Sequence, residues 1–287
     1  DMELKRVSEH VWFVEGAPGI ATENQGFISN AGVIVTGAGV VVFDALGTPS
    51  LADMLLKKIR AITNEPVVRV IVSHYHADHI YGLQVFEDLD AEILAPAGAA
   101  IYLESANARE RLAERQFTLD PWVNENTRLV IPSRFLDEGM QFRLGDVDFT
   151  VTVVGKAHSD GDLTLYVAPD RVLFSGDTIF EGRVPFLGDS NTRNWVSVLQ
   201  RMEREQLTAL VPGHGGVAAD PNAAISLTRR YLSYLREQMG AAVSEFIPFS
   251  EAYAATDWSE FEDLPAFAEA NRRNAYQVYL GMERESM

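Results

Sequence analysis

The apolar positions of the chain fall into two alternating regimes. Short runs rich in β-branched residues come first, at Val11–Glu15, at Phe27–Ile28 with Val33–Thr36, and at Val40–Asp44. Glycine-bearing stretches separate them, so the pattern predicts three strands with a hairpin turn at Gly37-Ala38-Gly39. Thr48-Pro49 then reads as an N-cap followed by proline at the first helical position. Leu51, Met54, Leu55, Ile59 and Ile62 recur at helical spacing to about residue 63. Val67–Ser73 is nearly all apolar, which predicts a buried strand. A short helix from about His79 to Leu89, a strand at Glu92–Ala95 and a charged helical stretch over 97–118 follow, and 119–134 reads as irregular. The regimes then repeat. Strands are expected at Gln141–Leu144, Val147–Val154, Leu163–Ala168 and Arg171–Ser175, a helix at Asn194–Glu203, and a strand at Ala209–Val211. From residue 221 onward the pattern is mainly helical, with stripes at Leu227, Tyr231, Tyr234 and Leu235 and at Phe267, Ala270, Asn274 and Val278. This order predicts an α/β chain of two similar halves, sheet packed on sheet with helices outside, in four layers.

Composition narrows the chemistry. The chain has 287 residues, 47% of them hydrophobic, enough for a large core without covalent staples. It has no cysteine, which excludes disulfides, thiolate ligands and a cysteine nucleophile. A net charge of −17 repels phosphate backbones, so nucleic acid is not an expected partner. No apolar run approaches the roughly 20 residues that span a bilayer. The sequence starts Asp1-Met2, which suits a chain whose leader has been removed and would place it in the periplasm or outside the cell; without a leader it would be cytoplasmic. Monomer and homodimer are both open.

The histidines are concentrated. Of six, three lie in His74-Tyr75-His76-Ala77-Asp78-His79, a fourth is His158 and a fifth is His214 in a glycine-rich turn, leaving His10 with no expected role. Imidazole and carboxylate are good zinc ligands. Four such groups within six residues cannot all face one ion from a regular strand or helix. A loop leaving the end of strand Val67–Ser73 can distribute them between two metals about 3.5–4 Å apart. A buried, hydrogen-bonded role explains one isolated histidine, but not this set.

The ordered set His74-x-His76-x-Asp78-His79, His158, Asp177 and His214 resembles the metallo-β-lactamase superfamily. The supporting context agrees: Asp44 closing an early strand, Phe174-Ser175-Gly176-Asp177, and Val211-Pro212-Gly213-His214. The likeness covers about residues 9–218, leaving 219–287 as a helical extension on the same domain. It implies an αβ/βα sandwich. It also implies that His74, His76 and His158 hold one metal, that Asp78, His79 and His214 hold a second, and that Asp177 bridges them. The stretch from His158 to Thr164 through Gly176-Asp177, then Arg183 to Phe186, Asn194-Trp195 and Pro212 to Gly215, is similar to SoxH-like or quinoprotein-relay zinc metallohydrolases. Aspartate at 177, where the best-known secreted β-lactamases carry cysteine, is similar to the pattern of thioesterases and lactonases.

The resulting expectation is a hydrolase of small molecules with two Zn2+ per chain, iron being the alternative metal. A metal-bridging hydroxide would attack an ester, thioester, lactone or amide carbonyl. Asp78 and Asp177 are the expected catalytic carboxylates. The competing readings are β-lactam hydrolysis, an iron-dependent persulfide-dioxygenase-like activity, and metal binding without catalysis. Asp44 and Asp162 are expected either to orient ligand imidazoles or to serve structure alone. The loop Gly16–Gly26 is either a flap over the site or an ordinary loop. Tyr75, Tyr81, Phe180, Phe186 and Trp195 either line a pocket or, by the commoner pattern, pack the core.

Overall fold

Two sheets face each other at the centre of the computed structural model, which describes residues 2–203 and 206–287. The first has seven strands in chain order: β1 (Leu4–Arg6), β2 (Val11–Val14), β3 (Ala31–Val35), β4 (Val40–Phe43), β5 (Val67–Ile71), β6 (Glu92–Pro96) and β7 (Arg134–Leu136). Its first four strands are antiparallel, and β4 to β7 are parallel. The second has five, in the order β12 (Ala209–Pro212), β11 (Val172–Gly176), β10 (Asp162–Ala168), β9 (Val147–Gly155) and β8 (Met140–Leu144). Only its β11–β12 pair is parallel.

Alternation along the strands builds three apolar layers. Val11, Ile34, Val41, Phe43, Ile71 and Leu94 of the first sheet meet Phe149, Leu163, Leu165, Val172 and Phe174 of the second. The other face of the first sheet packs on α1 (Pro49–Ile62) and on two short helices, α2 (Ala77–Ile80) and α3 (Leu83–Glu87). The far side of the second packs on α6 (Thr192–Met202), α7 (Pro221–Ser244), α8 (Phe249–Ala255) and α9 (Phe267–Ser286). The result is the four-layer αβ/βα sandwich. Trp195 and Leu199 share one buried cluster with Tyr231, Leu232 and Val278, so the helices after residue 218 continue the core of the second half.

Several local readings change. The two halves are unequal, seven strands against five. Strands β1 and β7 were not expected; each has only three residues, too short to show a period of two. The helix expected over 79–89 is two helices: the Gly82 N–H leaves the helical ladder and donates to Leu46 O at 3.2 Å, in an approach so close that a Cβ there would overlap the Ala45 carbonyl. The stretch 97–118 is also two, α4 (Gly98–Glu104) and α5 (Ala106–Thr118). It breaks at Ser105, whose side chain accepts from Ala108 N and caps the second helix.

Candidate metal centre

The site lies beyond the carboxyl ends of parallel strands, where such sheets leave a crevice. Strand β4 delivers Asp44, β5 leads into His74, β11 into Asp177 and β12 into His214. His158 comes from the turn between β9 and β10. His76, Asp78 and His79 follow where the chain leaves β5 and winds into α2.

Donor atoms of all seven predicted residues converge as two groups. His74, His76, His158 and Asp177 form one, and Asp78, His79 and His214 the other; within each, one donor atom per residue lies within 4.8 Å of the rest. In the first, His76 Nδ1 stands 3.0 Å from His74 Nε2 and 3.1 Å from His158 Nε2. In the second, Asp78 Oδ2 is 3.4 Å from His79 Nε2 and 3.2 Å from His214 Nε2. Asp177 lies between them. Its Oδ2 is 3.5 Å from His158 Nε2 and 3.3 Å from His214 Nε2, and its Oδ1 is 3.3 Å from His79 Nε2.

These spacings fit metal binding. A tetrahedral site with bonds of about 2.0–2.1 Å sets its donor atoms about 3.3–3.4 Å apart. His79 Nε2 and Asp177 Oδ1 are buried with no hydrogen-bond partner, a costly state that a cation relieves. The imidazole tautomers agree as well. His79 Nδ1–H donates to Asp44 Oδ2 at 2.8 Å, and His214 Nδ1–H donates to the Ile28 carbonyl at 2.7 Å. Ser73 Oγ donates to Asp44 at 2.7 Å and therefore accepts from His74 Nδ1–H at 2.9 Å. In all three rings Nε2 is the nitrogen left facing inward, so it is the atom that would meet a metal.

Charge divides the cluster. Burial holds His74 and His76 below the ordinary imidazole range and takes His158 to about 3, so these three are neutral. Burial would do the same to His79 and His214, but the carboxylates of Asp78 and Asp177 prevail. They raise His79 well above its usual value and His214 to about 9. Burial disfavours ionised Asp78 and Asp177 in turn, yet the surrounding imidazoles hold both well below the carboxylate range.

The remaining expectations divide. Asp44 is buried, at φ +63°, and accepts from Ser73 N, Ser73 Oγ and His79, so it fixes the His79 ring directly and the His74 ring through Ser73. Asp162 touches no imidazole. It accepts from Ala157 N, Ser159 N and Ser159 Oγ and so braces the turn that carries His158. Tyr75 and Phe186 line the cavity over the site, whereas Tyr81, Phe180 and Trp195 are buried in the core. Gly19 of the loop Gly16–Gly26 reaches the same cavity wall. His10 is remote, its Nδ1 2.7 Å from Asp170 Oδ1. Asn30 was missed: its Nδ2 donates to the carbonyls of Pro212 and Gly215, both at 2.8 Å, pinning the loop that presents His214. Four arginines lining the cavity, at 111, 115, 183 and 273, were also missed, since nothing in their spacing announces a shared destination.

A sandwich of two sheets with paired histidine–aspartate clusters at one edge defines a class of metal-site hydrolase. Residues 24–214 match the family model described as the metallo-beta-lactamase superfamily, and the chain belongs to that family. The acyl-coenzyme A thioesterase MBLAC2 of Gallus gallus is 33% identical over 190 residues, covering 61% of this chain and 68% of that protein. The metallo-beta-lactamase type 2 of Elizabethkingia meningoseptica is 23% identical over 193 residues, covering 66% of this chain and 69% of that one. Among solved structures, the metallo-beta-lactamase from Pontibacter korlensis superposes with a TM-score of 0.64 at 19% identity, over 81% of this chain and 99% of the other, a likeness of fold. The protein is therefore an enzyme of the hydrolase class. No helix among the described residues is long and apolar enough to cross a membrane.

Proposed function

We propose that the protein is a dinuclear zinc hydrolase that cleaves the thioester bond of a small acyl substrate. The observation that supports this reading is the meeting of two histidine–aspartate donor clusters at Asp177, at the floor of an open cavity of about 520 Å³. A pair of divalent ions held there supplies a water of lowered pKa and Lewis acidity toward a carbonyl oxygen. His74, His76 and His158 are neutral donors that would hold one ion, Asp78, His79 and His214 would hold the other, and Asp177, whose oxygens lie near both groups, would serve either. Asp78 is ionised, and its carboxylate lies at the cavity wall, where it can take a proton from an attacking water and return it to the leaving thiol. The wall formed by Tyr75, Ile28, Phe186 and Leu187 excludes water from one side of the acyl group. Among relatives, the thioesterase similarity is the one at 33% identity, and it directs the choice of a thioester over a lactone or β-lactam.

The test is to purify the protein without chelator, measure its metals by mass spectrometry, and assay thioesters, lactones and β-lactams side by side. Two zinc per chain with thioester cleavage fastest is the expected result. His76→Ala should lower both metal content and activity. One iron per chain with oxygen uptake on persulfides, or β-lactam turnover exceeding thioester turnover, would overturn the reading.

A further inference from the structure

The cavity lining is electropositive in a strongly acidic protein. Apart from Asp78 and Asp177 of the donor clusters, its only carboxylate among the described residues is Asp189, against arginines 111, 115, 183 and 273. Asp189 itself faces Lys156 at 3.7 Å. The arginines come from separate elements: Arg111 and Arg115 one turn apart on α5, Arg183 from the loop after β11, and Arg273 from α9. Arg111 pairs with Glu114 at 2.6 Å, but Arg115, Arg183 and Arg273 form no ion pair among the described residues. Arg183 lies with its guanidinium 5.0 Å from the Phe186 ring centre, and its Nε is buried without a hydrogen-bond partner. Asp177 and Glu269 act on it only from longer range. An unpaired buried donor costs stability, and Arg183 carries one beside this cavity.

We propose that Arg115, Arg183 and Arg273 bind the phosphate groups of a polyanionic thiol arm, so that the substrate is a phosphorylated, nucleotide-bearing acyl thioester. The inference rests on the thioesterase reading. A single carboxylate fills one guanidinium fork, whereas forks arriving from three elements match a ligand with several charged oxygens. Beside Arg111 and Arg115, Tyr75 and Tyr102 stack at 4.1 Å between ring centres and line the same cavity, offering an aromatic wall to the rest of the arm. An adjoining cavity of about 360 Å³ shares Tyr102 and Arg111 but is also lined by Glu110 and Glu114, so the phosphates belong in the first cavity and not the second.

The experiment compares kcat/KM for acyl-coenzyme A and acyl-pantetheine with the same acyl group, the second lacking phosphate. Wild type should favour the coenzyme A ester by at least about tenfold, with the preference shrinking as salt rises. The double variant Arg115→Gln/Arg273→Gln should lose about tenfold of that ratio, while Arg60→Gln, an exposed arginine of α1 outside the cavity, keeps it. Calorimetric titration of the zinc-loaded protein with adenosine 3′,5′-bisphosphate reads the same site without turnover. Binding that is at least about tenfold weaker in the double variant supports the site even if no thioester is cleaved, an outcome that would sink the thioesterase reading alone. A wild-type ratio near one, a ratio unchanged in the double variant, or nucleotide binding equal in both proteins would overturn the phosphate site.

Discussion

Asp44 gathers three donors while touching no proposed metal position, which makes it the best place to separate orientation from ligation. Asn tolerates the same left-handed backbone, but with its one carbonyl oxygen accepting from Ser73 Oγ and His79 Nδ1 its NH2 is left facing the Ser73 N–H, and turning it round gives up both of the other bonds. Asp44→Asn should therefore weaken zinc binding by about 10–100-fold, read by competition with a chromophoric chelator; unchanged affinity would show that the rings hold their orientation without it. Gly213 tests the opposite case. A Cβ there would overlap the Asp177 carboxylate. Gly213→Ala should keep the circular-dichroism spectrum and lose at least half the bound metal, and full metal content would mean that Asp177 moves aside freely. At this scale, legibility followed sequence distance. His74, His76, Asp78 and His79 crowd one short loop, so local spacing exposed them. Ser73, Asn30 and the Ile28 carbonyl act on rings that lie from one to nearly two hundred positions away, and a common serine or asparagine carries no mark of such a role. Asp162 failed as a ring partner because a carboxylate four residues after a histidine can as readily cap the turn between them.

Elements were legible where they were long and periodic, and the helices with strong apolar stripes, α1 and α6, lie where the spacing put them. The strands that escaped notice are the three-residue edges β1 and β7, and the helices that were merged are split by one close approach at Gly82 and one cap at Ser105. What the pattern could not reveal is how α9 serves the site. Asn274 was read as part of an apolar stripe, yet its side chain donates to Pro185 O at 2.6 Å and to Tyr231 OH at 3.0 Å, and accepts from Leu187 N at 3.1 Å. It thereby fastens the loop that carries Arg183 and Phe186 into the cavity. Replacing it strands a buried N–H and a carbonyl, so Asn274→Ala should cost about 1–3 kcal/mol. Because the loop loosens while the metal ligands stay in place, KM should rise several-fold with metal content unchanged. Denaturant melts and steady-state kinetics together check this, and a stability loss with unaltered KM would confine Asn274 to the core.

For the whole molecule, the cluster sets how stability responds to metal and to pH. Ligand that binds only the folded state stabilises it by about 2.7 kcal/mol when free metal exceeds its dissociation constant 100-fold. In a chain of this size that corresponds to about 5 °C per site, so chelation should lower Tm by about 10 °C if two ions leave. The metal-free protein has opposing slopes. His74, His76 and His158 are held neutral, His158 down to about 3. The unfolded chain takes up protons at these residues below about pH 6.5, so stability falls as the solution is acidified through that range. His79 and His214 are raised, His214 to about 9. The folded state then holds protons that the unfolded chain has released, and their contribution, complete below about pH 6.5, is lost as pH rises through about 9. Without metal, Tm should peak near pH 6.5 and decline on both sides. With zinc bound those two rings are already deprotonated, so the alkaline decline should vanish and the gap between zinc-loaded and chelated protein should widen from pH 6.5 to 9. Parallel curves over that interval would mean that His79 and His214 carry no proton in the metal-free fold, and that their pairing with Asp78 and Asp177 does not hold the cluster together.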